Sequence, residues 1–125
     1  MPEETQLNIY SEPLEECSFD PLTGFFRSGC CETSDQDAGK HTVCAVMTDE
    51  FLSFSLSRGN DLMTPVAEFN FPGLKEGDRW CLCANRWLEA HEAGSAPFIV
   101  ARATNLKATE IIPMEVKKDF ALDIS

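Results

Sequence analysis

Cysteine and histidine are the residue types in this 125-residue sequence that could do chemistry, with six of the first and two of the second. Thiolate sulfur and imidazole nitrogen are ligands that zinc prefers, and a thiol beside an imidazole is a common arrangement for nucleophilic catalysis. The spacing matches no standard zinc finger or ribbon, because these use paired Cys-x2-Cys or His-x3-5-His units. The candidate thiol or metal patch comprises Cys17, Cys30, Cys31, His41, Cys44, Cys81 and Cys83.

The segment RWCLCANRW places Cys81 and Cys83 two positions apart. In a strand, side chains alternate, so both thiols would face one side about 7 Å apart and could join a single site where the backbone bends. In a helix they would diverge by about 200°. The alternative is that both simply pack in the core, because free cysteine is among the most buried residue types.

His41 and Cys44, in HTVC, would face opposite sides of a strand unless the chain turns at the histidine. Asp35 or Asp37 is available to orient His41 as the base of a nucleophilic thiol. His91 lies near the C-terminus of a predicted helix, where a protonated imidazole interacts favourably with the helix dipole. This structural role accounts for the presence of His91. The sequence therefore favours His41 over His91 as a functional histidine. In the adjacent Cys30–Cys31 pair, poor geometry for joint chelation indicates that one thiol points inward.

Polar residues embedded in apolar context form a second set of candidates. Arginine suits bidentate pairing with a carboxylate. One interpretation is that Asp61 or Asp78 forms an ion pair with one of the arginines and fixes the loops. The other is that Arg79 or Arg86 binds an anionic ligand in a cleft. The set comprises Arg27, Asn60, Asp61, Arg79 and Arg86. Phosphate-binding glycine loops, His-Glu-x-x-His, Gly-x-Ser-x-Gly and calcium-loop motifs are absent from the sequence.

Several elements must position these residues. HTVCAVM is typical of a buried strand, and TDEFLSFSLSRGND predicts a helix with Thr48 as N-cap. The apolar face predicted for this helix consists of Phe51, Leu52 and Leu56, with Phe54 and Ser55 at its edges. RWCLCANRWLEAHEAG is predicted to start extended, become helical near Cys83 and end at Gly94.

Further along, PFIVARAT and KATEII are predicted to be strands, and a final helix begins at Pro113. Trp80 and Trp87 are expected to anchor the core, and residues 1–40 to form an irregular layer. The fold class predicted is α+β: a small single domain over residues 1–125, with a short, mostly antiparallel sheet, two to three helices and long ordered loops. Residues 1–6 are expected to be a disordered tail.

Ten basic and 21 acidic residues give a formal net charge of -11. Such a surface repels phosphate backbones and anionic lipids, so neither nucleic acid nor a membrane is expected as a partner. The N-terminus MPEETQLNIY does not resemble a secretory signal. The location predicted is therefore the reducing cytoplasm, where the six cysteines would be mostly free thiols or metal ligands.

Three blocks carry a resemblance to a known family: CSFDPLTGFFRSGCC, DAGKHTVCAVMTDEFLSFSLSRGNDLMTP and FNFPGLKEGDRWCLCANRWLEAHEAGSAPFIVARAT. Together they resemble a bacterial domain-of-unknown-function family, DUF2237, over nearly the whole chain. The resemblance implies a small, soluble, single-domain bacterial protein. It supplies no activity, substrate, cofactor or catalytic residue.

Three functions are consistent with these observations. The first is a small binding module whose Cys/His patch holds a metal such as zinc. The second is a thiol-dependent redox enzyme that uses Cys44 or the Cys81/Cys83 pair. The third is a protein that binds a small-molecule ligand or a protein partner, neither identified by the sequence, and whose cysteines are purely structural.

Overall fold

The computed structural model describes residues 6–19, 22–24, 26, 28–37, 40–69, 71 and 73–121. Arg27 and residues 1–5 of the predicted tail lie outside the described residues. Gln6, the remaining residue of that predicted tail, bonds through its side chain to the backbone of Thr33 and to Asn105.

Three antiparallel strands form the sheet: β1 (His41–Val46), β2 (Arg79–Cys83) and β3 (Phe98–Ile99), in the order β2-β1-β3. Strand β1 is central because it pairs with β2 along its length and with β3 at its end. Three helices complete an α+β fold: α1 (Asp49–Ser57), α2 (Ala84–Glu92) and α3 (Met114–Phe120). Among the described residues, no helix has both the length and the apolar character needed to cross a membrane.

The helix-boundary predictions are confirmed at the residues that carried them. The Thr48 side chain accepts a hydrogen bond of 3.1 Å from the Phe51 backbone N–H at the start of α1. Gly94 adopts φ +80° after α2, a left-handed conformation that glycine tolerates best. The apolar face predicted for α1 is wrong at one position, because Leu56 is exposed and Ser55 is buried instead. The Ser55 hydroxyl donates to the Asn60 carbonyl at 2.7 Å, so the buried hydroxyl of Ser55 has a hydrogen-bond partner.

Two strand predictions fail near the C-terminus. KATEII is not a strand: residues Leu106–Glu110 form a 3-10 helix, which begins where the Asn105 side chain accepts from the Lys107 N–H. PFIVARAT forms a strand only at Phe98–Ile99, and Ala101–Ala103 turn as a second short 3-10 helix. Capping by Asn105 outweighs the local β preference of the isoleucines.

The two faces of the sheet have different contents. Side chains alternate along β2, so Trp80 and Leu82 join the main apolar core while Cys81 faces the other side. Trp87, from α2, is fully buried in the same main core. The prediction that both tryptophans anchor the core is confirmed. On the opposite face, Cys81 lies in a second, sulfur-rich cluster.

Buried asparagines attach the irregular N-terminal layer to the rest of the fold. The Asn8 Nδ2 donates to the Arg102 carbonyl, while its Oδ1 accepts from the backbone N–H groups of Tyr10 and Glu12. The Asn105 Nδ2 donates to the Cys31 carbonyl at 3.0 Å. These side-chain hydrogen bonds take the place of the β-sheet hydrogen bonds that the N-terminal layer lacks.

Lys117 of α3 is fully buried, and its Nζ donates to the Ile112 carbonyl at 2.9 Å. Within the described part of the chain, no carboxylate forms an ion pair with it. Burial disfavours the charged form and lowers the pKa of Lys117 from 10.5 to about 8.

We therefore expect the free energy of unfolding to rise between pH 8 and pH 10.5. The unfolded chain binds the lysine proton in this window and the folded chain does not, so the gain is on the order of 2–3 kcal/mol. Chemical denaturation across the window should show this rise in the wild type and a smaller one in Lys117→Met. The difference between the two proteins is the measurement, because it cancels the contributions of groups other than Lys117. Equal slopes would contradict the prediction.

Candidate functional site: a buried four-cysteine centre beside a free thiol

Two disulfides, Cys17–Cys44 and Cys31–Cys81, lie together on one face of the sheet. We call their four residues the four-cysteine centre. Cys44 and Cys81 are Cα partners across β1 and β2, while the other two come from the irregular N-terminal layer. All four are buried, with 3% exposure at most. The centre therefore joins that layer to strands β1 and β2.

The sulfur atoms of the centre are close across the two bonds as well as within them. The Sγ atoms of Cys17, Cys31 and Cys81 lie within 4.8 Å of one another, and Cys44 is bonded to Cys17. Of the predicted patch, four members therefore converge. His41 lies outside this group.

Two expectations about the thiols need correction. Most cysteines were expected to be free thiols or metal ligands, but only Cys30 and Cys83 are free. Cys44 was a candidate nucleophile, yet it is buried and disulfide-bonded. The physical reason is the register of the sheet, which sets Cys44 opposite Cys81 and places both under the N-terminal layer.

Threonine hydroxyls hold the backbone of the centre. The Thr23 Oγ1 accepts from the Cys81 N–H at 2.9 Å, and the Thr104 Oγ1 accepts from the Cys44 N–H at 3.2 Å. Neither threonine was predicted to belong to the site. Each lies about 60 positions from its partner, so no local pattern could have indicated it.

The two free thiols flank one disulfide, Cys31–Cys81. Cys30 precedes Cys31 directly, and Cys83 follows Cys81 by two positions. As expected for adjacent cysteines, one points inward: Cys31 is fully buried and Cys30 is partly exposed. Burial raises the pKa of Cys30, and the carboxylates of Glu32 and Glu16 raise it further.

Cys83 ends β2 and is the N-cap of α2, where its side chain makes no capping hydrogen bond. Its Cα partner across the sheet is His41, next to an irregularity in β1 between His41 and Val43. The Ala84 N–H donates to the Lys40 carbonyl at 3.1 Å, which joins the start of α2 to the start of β1. His41 and Cys83 therefore occupy facing positions at one end of the sheet.

A buried carboxylate orients His41. Asp37 is fully buried, and its Oδ1 lies 2.7 Å from the His41 Nδ1. Its Oδ2 accepts from the His41 backbone N–H and from the Thr33 hydroxyl. Burial opposes ionisation of Asp37, but these hydrogen bonds and the charge of His41 outweigh it and lower the pKa of the carboxyl. Lys40, the preceding residue, has φ +50°, an uncommon conformation for a residue other than glycine.

The second set of candidates does not converge on this site. The Asp61 carboxylate accepts from the Thr64 hydroxyl and from the backbone N–H groups of Met63 and Thr64, and these bonds hold its own loop and lower its pKa. Arg86 donates to the Arg58 carbonyl and lies near Glu89. Among the described residues, no ion pair joins Arg79 or Arg86 to Asp61 or Asp78, and Asp78 pairs with Lys75.

The other two described candidates of this set are Asn60 and Arg79. The Asn60 backbone N–H donates to the Ser55 carbonyl, and the Asn60 carbonyl accepts from the Ser55 hydroxyl. Arg79 is exposed at the start of β2.

No curated protein matches the sequence. A family model described as "Uncharacterized protein conserved in bacteria (DUF2237)" matches residues 7–121. This range takes in the four-cysteine centre, both free thiols and the Asp37–His41 pair. The match covers nearly the whole chain and agrees with the resemblance seen in the sequence blocks, so the chain belongs to the DUF2237 family.

Proposed function

We propose that the protein is a thiol–disulfide redox protein in which Cys83 exchanges with the buried Cys31–Cys81 disulfide. One observation carries the proposal. A free, partly exposed thiol lies two positions from one half of a buried disulfide and opposite a histidine that a buried carboxylate orients.

Access is the first supporting argument. Thiol–disulfide exchange requires a thiolate to reach a disulfide sulfur. Cys31 and Cys81 are buried, so an external thiol has no direct approach to that disulfide. Cys83 has partial exposure and follows Cys81 on the same strand, so it connects the surface to the disulfide.

Geometry selects the sulfur that Cys83 attacks. Residues two apart on a strand are separated by about 7 Å, at the upper limit of the Cα separation that a disulfide spans. A Cys81–Cys83 disulfide is therefore unfavourable. Attack on the Cys31 sulfur forms a Cys31–Cys83 bond and breaks the Cys31–Cys81 bond, and the electron pair leaves on Cys81.

Protons and electrons balance in this exchange. His41 takes the Cys83 proton, and the departing Cys81 thiolate receives one. An external thiol then opens the Cys31–Cys83 bond, and a second external thiol releases Cys83 from the mixed disulfide. The net result is that two external thiols become one disulfide and the buried disulfide becomes two thiols.

The Asp37–His41 pair supports the role of base. With Asp37 ionised, the His41 Nδ1 donates to it, so the Nε2 carries the lone pair that accepts a proton. Cys30 is the less suitable thiol, because the carboxylates of Glu32 and Glu16 oppose a thiolate there.

A cytoplasmic location, predicted from the sequence, fits this proposal. Disulfides in reducing compartments are usually transient and either catalytic or redox-sensing. The charge of -11 continues to predict that nucleic acid is not the partner, which a mobility shift at low salt would test.

The test measures how fast a monothiol such as glutathione reduces the Cys31–Cys81 disulfide. We expect Cys83→Ser to slow the reduction by about tenfold or more, since exchange then lacks its accessible thiol. Cys30→Ser is the matched control and should leave the rate unchanged. Mass spectrometry of quenched, alkylated samples reports each disulfide separately. Equal rates in the wild type and Cys83→Ser would refute the proposal.

The role of His41 has its own test. We expect His41→Ala to slow alkylation of Cys83 by iodoacetamide about 100-fold, the lower end of the range for loss of a general base. Added imidazole should restore part of the rate in this variant and not affect the wild type. A purely structural role for His41 would give no such rescue. Asp37→Asn, which leaves the ring in place, should slow the same reaction by a smaller factor.

A further inference from the structure

We propose that the four-cysteine centre, once reduced, binds one Zn²⁺ through Cys17, Cys31, Cys44 and Cys81. The inference rests on the proposed function only in requiring that the two disulfides can be reduced. It also narrows the predicted patch of seven residues to four sulfur ligands. His41, Cys30 and Cys83 are excluded from the ligand set.

The positions of the sulfur atoms favour this site. Tetrahedral zinc with Zn–S distances of about 2.3 Å places its four sulfurs about 3.8 Å apart. Three sulfurs of the centre already lie within 4.8 Å of one another, and the fourth, on Cys44, is bonded to one of them. Opening the disulfides therefore requires only short movements of side chains to reach the tetrahedron.

Strand pairing and backbone hydrogen bonds keep the four ligand residues close to one another after the disulfides are reduced. Cys44 and Cys81 face each other on the two longest strands. Their N–H groups bond to the Thr104 and Thr23 hydroxyls, which do not depend on the state of the sulfurs. The Cys17 N–H donates to the Gly29 carbonyl at 2.7 Å, and this bond holds Cys17 beside the segment that leads to Cys31.

The surroundings match a closed, structural zinc site. All four ligands are buried, and Val100 and Ala103 pack against them. Structural zinc sites are four-coordinate and leave no position for water. The burial thus argues for a site that holds the fold together in place of the disulfides.

The chemistry balances in two stages. Reduction of both disulfides takes four electrons and four protons, supplied by external thiols that become disulfides. Zn²⁺ then displaces four protons as it binds four thiolates. The metal ion offsets two of the four negative charges, so the bound centre has a charge of -2, in place of four neutral thiols.

The experiment uses the full chain, reduced by a phosphine without oxygen and then freed of the reductant. A phosphine does not need the Cys83 thiol as a relay, so failure of the proposed exchange would leave this test intact. Co²⁺ serves as the spectroscopic substitute for Zn²⁺. We expect one equivalent to produce intense tetrahedral d–d bands and sulfur-to-cobalt charge transfer, and Zn²⁺ to displace it with release of protons.

Variants identify the ligands. We expect Cys17→Ser to lose at least about a hundredfold in apparent affinity, more than loss of an outer hydrogen-bond partner costs. Cys30→Ser and Cys83→Ser are the matched controls and should bind as the wild type does.

Thermal unfolding shows whether each variant is folded. Zn²⁺ should raise the melting temperature of the reduced wild type and leave the oxidised wild type unchanged. An octahedral cobalt spectrum, a stoichiometry well below one, or an equal loss in the two controls would overturn the inference.

Discussion

Replacement of both Cys31 and Cys81 by alanine is expected to lower the free energy of unfolding by about 4 kcal/mol. The bond closes a loop across a sequence separation of 50, and the chain-entropy relation for a loop of this length gives about 4 kcal/mol. The Cys17–Cys44 bond closes a shorter separation of 27, for which the same relation gives about 3.5 kcal/mol. Either loss is a large part of the total stability of a small domain.

The paired substitution matters because it leaves no unpaired thiol. Urea denaturation of the two double variants measures both effects, and Cys30→Ala and Cys83→Ala provide controls without a disulfide. Each control should lose only about 1 kcal/mol, as expected for a small packed side chain. If Cys31→Ala/Cys81→Ala were as stable as those controls, the disulfide would have no role in holding the N-terminal layer to the sheet.

Trp87→Ala is expected to cost about 3–5 kcal/mol, the range for an aromatic side chain removed from a core. The ring is fully buried and its Nε1 donates to the Pro97 carbonyl at 3.0 Å. It stacks on His91 at a centroid distance of 5.4 Å and meets Phe120 edge-on at 5.3 Å. The substitution therefore removes contacts among α2, α3 and the segment before β3.

Two variants separate the contributions of this side chain. Trp87→Phe keeps a buried aromatic ring but removes the Nε1 bond and part of the indole, so its cost should include about 1–3 kcal/mol for the unsatisfied Pro97 carbonyl and stay below that of Trp87→Ala. Leu56→Ala changes an exposed apolar residue and should cost far less than either. Denaturation curves with equal m-values would make the comparison valid. A Trp87→Ala protein as stable as Leu56→Ala would show that α2 is not anchored as described.

Features encoded by neighbouring residues could be predicted from the sequence. Thr48 caps α1 and Gly94 ends α2 because caps and left-handed turns depend on a few adjacent residues. The Asp37–His41 contact is of the same kind, since it joins residues four apart. KATEII was mispredicted because Asn105, just outside the segment, determines its conformation.

The pairing of the cysteines could not be predicted in the same way. Six cysteines permit 15 fully paired connectivities, and nothing in their spacing selects among them. The selection is made by the register that sets Cys44 against Cys81 and by hydrogen bonds to distant threonines. The opposition of His41 and Cys83 depends on the same register and on the irregularity in β1.

The two disulfides interleave along the chain, since Cys31 lies inside the loop that Cys17 and Cys44 close. During synthesis, the partner of Cys17 emerges from the ribosome with β1, whereas the partner of Cys31 emerges only with β2. Chains generally begin to fold from the N-terminus as they are made. For that interval Cys31 and its neighbour Cys30 are both available to Cys44. Oxidation after the second strand has been translated would therefore avoid these non-native pairs.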